Sequence, residues 1–160
     1  MLLALVTSQR SPDPSTQVGA YICDTMNRNL STGYNSVPRG IDPESISWER
    51  QAEDEFDTKY PFIVHAERNA VLNAYGSVHG AKLYVTIRPC HDCAKTIIQA
   101  GISEVIWLGD PKLDVWSRSV EEGDKLLRVA GVKVRRHEWE KPRMIECLEF
   151  LTQHPTLREQ

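Results

Sequence analysis

From residue 65 onward the chain alternates between helical and strand periodicities, and this alternation is what most restricts the fold. Residues 66–75 carry a helical pattern that the sequence ends at Gly76, a residue suited to a left-handed cap. Residues 81–87 then read as a strand, and Pro89 opens a helix that runs through Cys90 and Cys93 to Ala100 and stops at Gly101. Residues 102–108 are apolar in the manner of a buried strand. Ser119 and Glu122 have the spacing of a capping box ahead of a helix ending at Gly131, and residues 132–138 form the last strand. Strands separated by helices call for right-handed crossovers and a parallel section of sheet.

The first third of the chain adds a hairpin. Residues 1–10 read as a short helix that cannot pass Pro12 and Pro14. Residues 18–24 and 30–35 read as strands joined by the short connection 25–29. The expected fold is therefore α/β, a mixed five-strand sheet flanked by helices, with residues 1–160 forming one domain. Residues 36–61 do not fit this regularity. They hold three prolines, seven acidic residues and Trp48, and so long a connection is usually functional or mobile. Residues 145–151 are read as a short element or a tail.

Composition excludes several classes of function. With 19 Lys and Arg against 22 Asp and Glu, the net charge of −3 lacks the basic excess expected of a protein that neutralises nucleic-acid phosphates. No apolar run approaches the roughly 20 residues needed to span a bilayer. The apolar start of the chain lacks a basic leader, so the expected location is the cytoplasm. Four cysteines in 160 residues do not make a disulfide scaffold, and Cys23 and Cys147 read as structural.

The remaining two cysteines carry chemistry. Cys90 and Cys93 lie three apart at a helix start, so their sulfurs share a face where the partial positive charge favours thiolates. Alone, such a pair fits a redox couple, half of a structural zinc site, or a catalytic metal. His65 supplies a third soft ligand, and three protein ligands with an open fourth position are the arrangement of catalytic zinc. Glu67 follows His65 by two, a spacing that does not place both on one helical face. Leaning back toward the helix start, it can flank the metal site as a proton carrier. His-x-Glu followed by Pro-Cys-x-x-Cys is the signature of zinc nucleobase deaminases, and this chain matches it in full. A redox pair has no need of the His-x-Glu, and a closed structural site needs a fourth Cys or His.

The segments HAERNA and PCHDCAKTIIQAGI resemble the cytidine and deoxycytidylate deaminase superfamily, and within it the deoxycytidylate (dCMP) deaminases. Residues 10–20, RSPDPSTQVGA, are similar to that family's opening motif; Gly33-Tyr34-Asn35 resembles its G-Y-N strand end, and residues 57–61 its approach to the zinc helix. The likeness runs from about residue 4 to about residue 136. It implies a cytidine deaminase-like three-layer domain in which zinc is held by His65, Cys90 and Cys93 and Glu67 shuttles the proton. It also implies that Asn35 contacts the deoxyribose and that the backbone around Ala66 reads the pyrimidine edge. Phosphate recognition is expected from the loop 109–119, with Arg118 as the candidate cation and Trp116 as a closing side chain or a core residue.

The expected reaction is hydrolytic deamination of dCMP to dUMP with release of ammonia, feeding thymidylate nucleotide synthesis, with dCTP or 5-substituted dCMP as alternative substrates. The family further implies dCTP as activator, dTTP as inhibitor and a homo-trimer or homo-hexamer. Ser36 stands where the family often has Gly, in the region that binds those effectors, and fewer residues precede the opening motif than in most members. The expected partners are thus small deoxynucleotides, with neither nucleic acid nor membrane.

Overall fold

The computed structural model describes residues 1–109, 117–137, 145, 146 and 149. Its elements follow the order α1 (Leu2–Ser8), β1 (Gly19–Cys23), β2 (Asn29–Tyr34), α2 (Ala66–Leu72), β3 (Lys82–Val85), α3 (His91–Gln99), β4 (Glu104–Leu108), α4 (Arg118–Val129) and β5 (Lys133–His137). The expected residues 138 and 145–151, apart from 145, 146 and 149, lie outside the described residues, as does Cys147.

The strands form one sheet in the order β2-β1-β3-β4-β5. β1 runs antiparallel to β2 and β3, while β3, β4 and β5 are mutually parallel in sequence order. This is the mixed five-strand sheet expected from a hairpin followed by two strand–helix–strand units. The hairpin turn is fixed by Asp24, whose carboxylate accepts N–H bonds from Met26 at 2.9 Å and Arg28 at 2.8 Å. Asn27 takes the left-handed conformation there (φ 61°), which Asn tolerates better than most residues.

Helices cover both faces, giving three layers. On one face Ala20, Ile22, Leu83, Val85, Val105 and Trp107 meet Ala66 and Ala70 of α2, Ala94 and Ile97 of α3 and Leu127 of α4. On the other, Ala4 of α1 packs with Tyr21 and buried Cys23. Among the described residues, no helix is long and apolar enough to cross a membrane.

The small residues at these contacts set how closely α2 approaches the sheet. A Cβ on Gly33 of β2 would lie 2.2 Å from the Ala70 nitrogen and 2.4 Å from the Ala66 carbonyl oxygen, so only glycine fits. Ser31 Oγ donates to the Ala70 carbonyl (2.6 Å), Asn69 Nδ2 to the Tyr34 carbonyl (2.8 Å) and Asn73 Nδ2 to the Thr32 carbonyl (2.9 Å). These bonds stitch α2 to β2 along its length and fix where the helix begins.

Two boundaries differ from the sequence reading. α2 ends at Leu72 rather than running to Gly76, because Asn73 turns its side chain onto β2. The left-handed glycines among the described residues are Gly40, Gly80, Gly101 and Gly131, so two of the three expected caps hold. α4 is capped by Ser117, whose Oγ accepts from Val120 N at 3.4 Å, rather than by Ser119. The Ser119 hydroxyl is instead bonded to His91 Nδ1 at 2.7 Å, tying α4 to the start of α3.

Candidate active site

The site lies where the starts of α2 and α3 come together. His65 is the residue before α2 and is extended (φ −67°, ψ 154°), whereas Glu67 is inside the first turn. That change of backbone between the two residues lets both side chains reach one cavity despite a spacing that a continuous helix would spread apart. Cys90 holds the equivalent position before α3, with Cys93 one turn on and fully buried. Gly123 of α4 presses on this turn: a Cβ there would come within 2.8 Å of the Pro89 carbonyl oxygen.

His65 Nδ1 lies 3.5 Å from Cys90 Sγ and 3.3 Å from Cys93 Sγ, and the ligand atoms of all three residues fall within 4.8 Å of one another. One imidazole and two thiols at that separation are the donor set of a catalytic zinc site, and the residues fit that ion. The three groups shift one another strongly. The hydrogen bond from Cys93 pulls the Cys90 thiol down to about 3, against burial, and His65 adds to the effect. The Cys93 thiol is pushed up by the bond with Cys90 and by burial. Its bond with Cys90 raises the His65 imidazole, partly offset by burial.

Glu67 is 4% exposed, and burial drives its carboxyl above the ordinary range, an effect that the neighbouring His65 moderates. A buried carboxyl beside a group able to hold a metal, opening on a cavity of about 360 Å³, has the setting of an acid–base residue. Ala66, fully buried, and Asn35 line the same cavity. The Asn35 amide is largely committed to the protein: Nδ2 donates to Asp13 Oδ2 (3.2 Å) and to the Thr16 carbonyl (2.9 Å), and Oδ1 accepts from Val18 N (2.7 Å). Only acceptor capacity on Oδ1 is left for a ligand. Arg118, by contrast, is exposed at the first position of α4 and does not line this cavity, and Trp116 lies outside the described residues.

The cavity lining also holds a polar cluster that joins the two segments 10–20 and 57–61. Lys59, 3% exposed, donates to Asp13 Oδ2 and to Ser15 Oγ, both at 2.6 Å. Asp13 also accepts from the backbone of Ser15 and Thr16 at 2.9 and 3.1 Å. Burial acts to raise this carboxyl, but the bond from Lys59 and those from Ser15 and Thr16 prevail and hold it below its usual 3.8. A depressed folded value stabilises the protein above the unfolded value and is lost as pH falls through the folded one. Asp13→Asn, which strands the Lys59 charge, is therefore expected to cost about 3–5 kcal/mol near neutrality. In acid-dependent thermal unfolding, the gap between variant and parent is expected to narrow below pH 3.8. A gap that widens in acid would contradict this pairing. Asp13 and Lys59 are 46 positions apart, which is why no local pattern reveals them. Arg88, stacked 4.1 Å over the Trp107 ring and paired with Asp124 at 3.5 Å, and Arg50 also line the cavity.

Comparison with known proteins agrees with this geometry. Residues 1–109 match the model of the cytidine and deoxycytidylate deaminase zinc-binding region. The chain is 39% identical over 161 residues to a deoxycytidylate deaminase of Mus musculus, covering 100% of this chain and 89% of that protein. It is 43% identical over 137 residues to one of Homo sapiens, covering 85% and 76%. Its fold is similar to the crystal structure of dCMP deaminase from the cyanophage S-TIM5 in complex with dCMP and dUMP, with a TM-score of 0.64, 29% identity and coverage of 84% and 90%. A family model that spans residues 1–109 and relatives at 39% and 43% identity show that the chain belongs to the cytidine and deoxycytidylate deaminase family.

Proposed function

We propose that this chain hydrolyses dCMP to dUMP and ammonia, feeding thymidylate nucleotide synthesis, with zinc as its cofactor. The observation that carries the reading is the buried Glu67 carboxyl lining one cavity with His65 and Cys90, which together with the fully buried Cys93 form a group placed to hold a metal. Those three residues would hold the metal, which when bound would supply the Lewis acidity that brings the pKa of water toward neutrality. Glu67 accepts a proton from the attacking water at its carboxylate and delivers it to the ring nitrogen beside carbon 4. The water oxygen forms its bond to carbon 4; Glu67 then takes the second proton from that oxygen and gives it to the exocyclic amine as the bond between carbon 4 and that nitrogen breaks, leaving the carbon 4 carbonyl of dUMP and free ammonia. One carboxyl thus serves as base and then as acid.

Burial matters to both roles. The low-polarity surroundings that raise the Glu67 carboxyl make it a better proton acceptor and keep the transferred proton from bulk water. The backbone at Ala66 reads the pyrimidine edge, and Asn35, through Oδ1, accepts from a deoxyribose hydroxyl. The family resemblance also offers Arg118 and Trp116 for the phosphate end. The reading extends to residues 1–160 as one deaminase domain, to a cytoplasmic location, and to a homo-trimer or homo-hexamer; exposed Leu3 and Val6 on α1 supply apolar surface for such contacts. Effector control by dCTP and dTTP belongs to the same proposal.

A panel of dCMP, dCTP and 5-methyl-dCMP, followed by ammonia release with and without added dCTP and dTTP, tests it. The largest kcat/KM is expected for dCMP. Turnover confined to dCTP or to the 5-methylated nucleotide would overturn the substrate assignment, and no deamination of any of the three would overturn the reaction.

A further inference from the structure

The charges on the cavity wall are unevenly satisfied. Lys59 is neutralised by Asp13, both of them buried, and Arg88 is paired with Asp124. Arg50 differs: among the described residues no carboxylate lies within ion-pair distance, and its Nε makes a 3.4 Å contact with the Tyr60 hydroxyl. It is exposed, whereas Glu67 is buried, so the two mark the mouth and the floor of one cavity. Two further grooves open at Arg50 and Tyr60, as expected of a pair that sits where the cavity meets solvent.

A pyrimidine nucleotide bound with its base at the floor presents its anionic group toward the mouth. A cation already balanced by a buried carboxylate offers such a group little net attraction, whereas an unbalanced guanidinium offers charge and a two-pronged donor set matched to phosphate oxygens. We propose that Arg50, on the long connection between β2 and α2, is the specificity-determining residue that reads the 5′-phosphate of the substrate. This rests on the dCMP reading above and gives residues 36–61 a function: Lys59 N donates to the Glu49 carbonyl at 3.0 Å, which ties the backbone beside Arg50 to a cavity residue.

The test compares dCMP with deoxycytidine, which lacks only the phosphate. In Arg50→Gln the ratio of kcat/KM for dCMP to that for deoxycytidine is expected to fall about 10–100-fold, mainly through KM for dCMP, with Arg50→Lys between variant and parent. The same fall is expected in the ratio of product inhibition by dUMP to that by deoxyuridine, and it should be smaller at high salt. An unchanged ratio, or equal loss for both ligands, would overturn the assignment, as would Arg118→Gln lowering the ratio while Arg50→Gln does not. Failure of the parent protein to deaminate dCMP would instead overturn the underlying substrate reading.

Discussion

Glu67→Gln is expected to keep its zinc and lose its chemistry. The amide has the shape of the carboxyl but cannot carry a proton from water to the ring nitrogen, so kcat should fall about 10²–10⁴-fold, the usual contribution of a positioned acid–base group. His65, Cys90 and Cys93 are untouched, so metal analysis should still find one zinc per chain. Stability supplies a second readout. Burial penalises the ionised Glu67, and a neutral amide removes that penalty, so the variant should melt at the same temperature as the parent or higher. A variant turning over within tenfold of the parent would remove Glu67 from the reaction, and one that loses zinc would make it a ligand.

The second large effect is expected where α2 is seated on β2, behind the candidate site. Gly33→Ala places a methyl 2.2 Å from the Ala70 nitrogen and 2.8 Å from its Cα, atoms of the α2 backbone that cannot swing aside. The helix must shift, with a cost of about 3 kcal/mol. Because His65 and Glu67 sit at the start of that helix, zinc affinity and kcat should fall with stability. Gly76→Ala is the control: nothing lies within 4 Å of its added Cβ and its backbone is not left-handed, so its melting temperature should match the parent or exceed it. Equal effects at Gly33 and Gly76 would show that α2 tolerates displacement and that its seating on β2 does not position the site.

These two variants mark how far the sequence can be read. That His65, Cys90 and Cys93 come together beside Glu67 is legible because such chemistry requires fixed residue types at short spacing, and a five-strand mixed sheet is legible because its periodicities are local. Gly33 stands out in the sequence only through resemblance to the G-Y-N strand end; the physical reason, contact with a helix more than thirty positions later, exists only in the fold. The same holds for Lys59 on Asp13 and for Arg50 at the cavity mouth. Local signals also mislead where a side chain has a better partner at long range. Asn73 ends α2 on β2 before Gly76 is reached, and Ser119 bonds His91 while Ser117 caps the helix.

The central claim is that the three ligands and Glu67 together hydrolyse dCMP, and the fate of the water oxygen tests it most directly. Metal-stripped protein reloaded with one equivalent of zinc should convert dCMP in oxygen-18 water to dUMP carrying a single heavy oxygen on the ring, with one ammonia released per dUMP, while the stripped protein stays inactive. Product without the heavy atom, turnover undiminished by removal of zinc, or unchanged dCMP after reloading would contradict it.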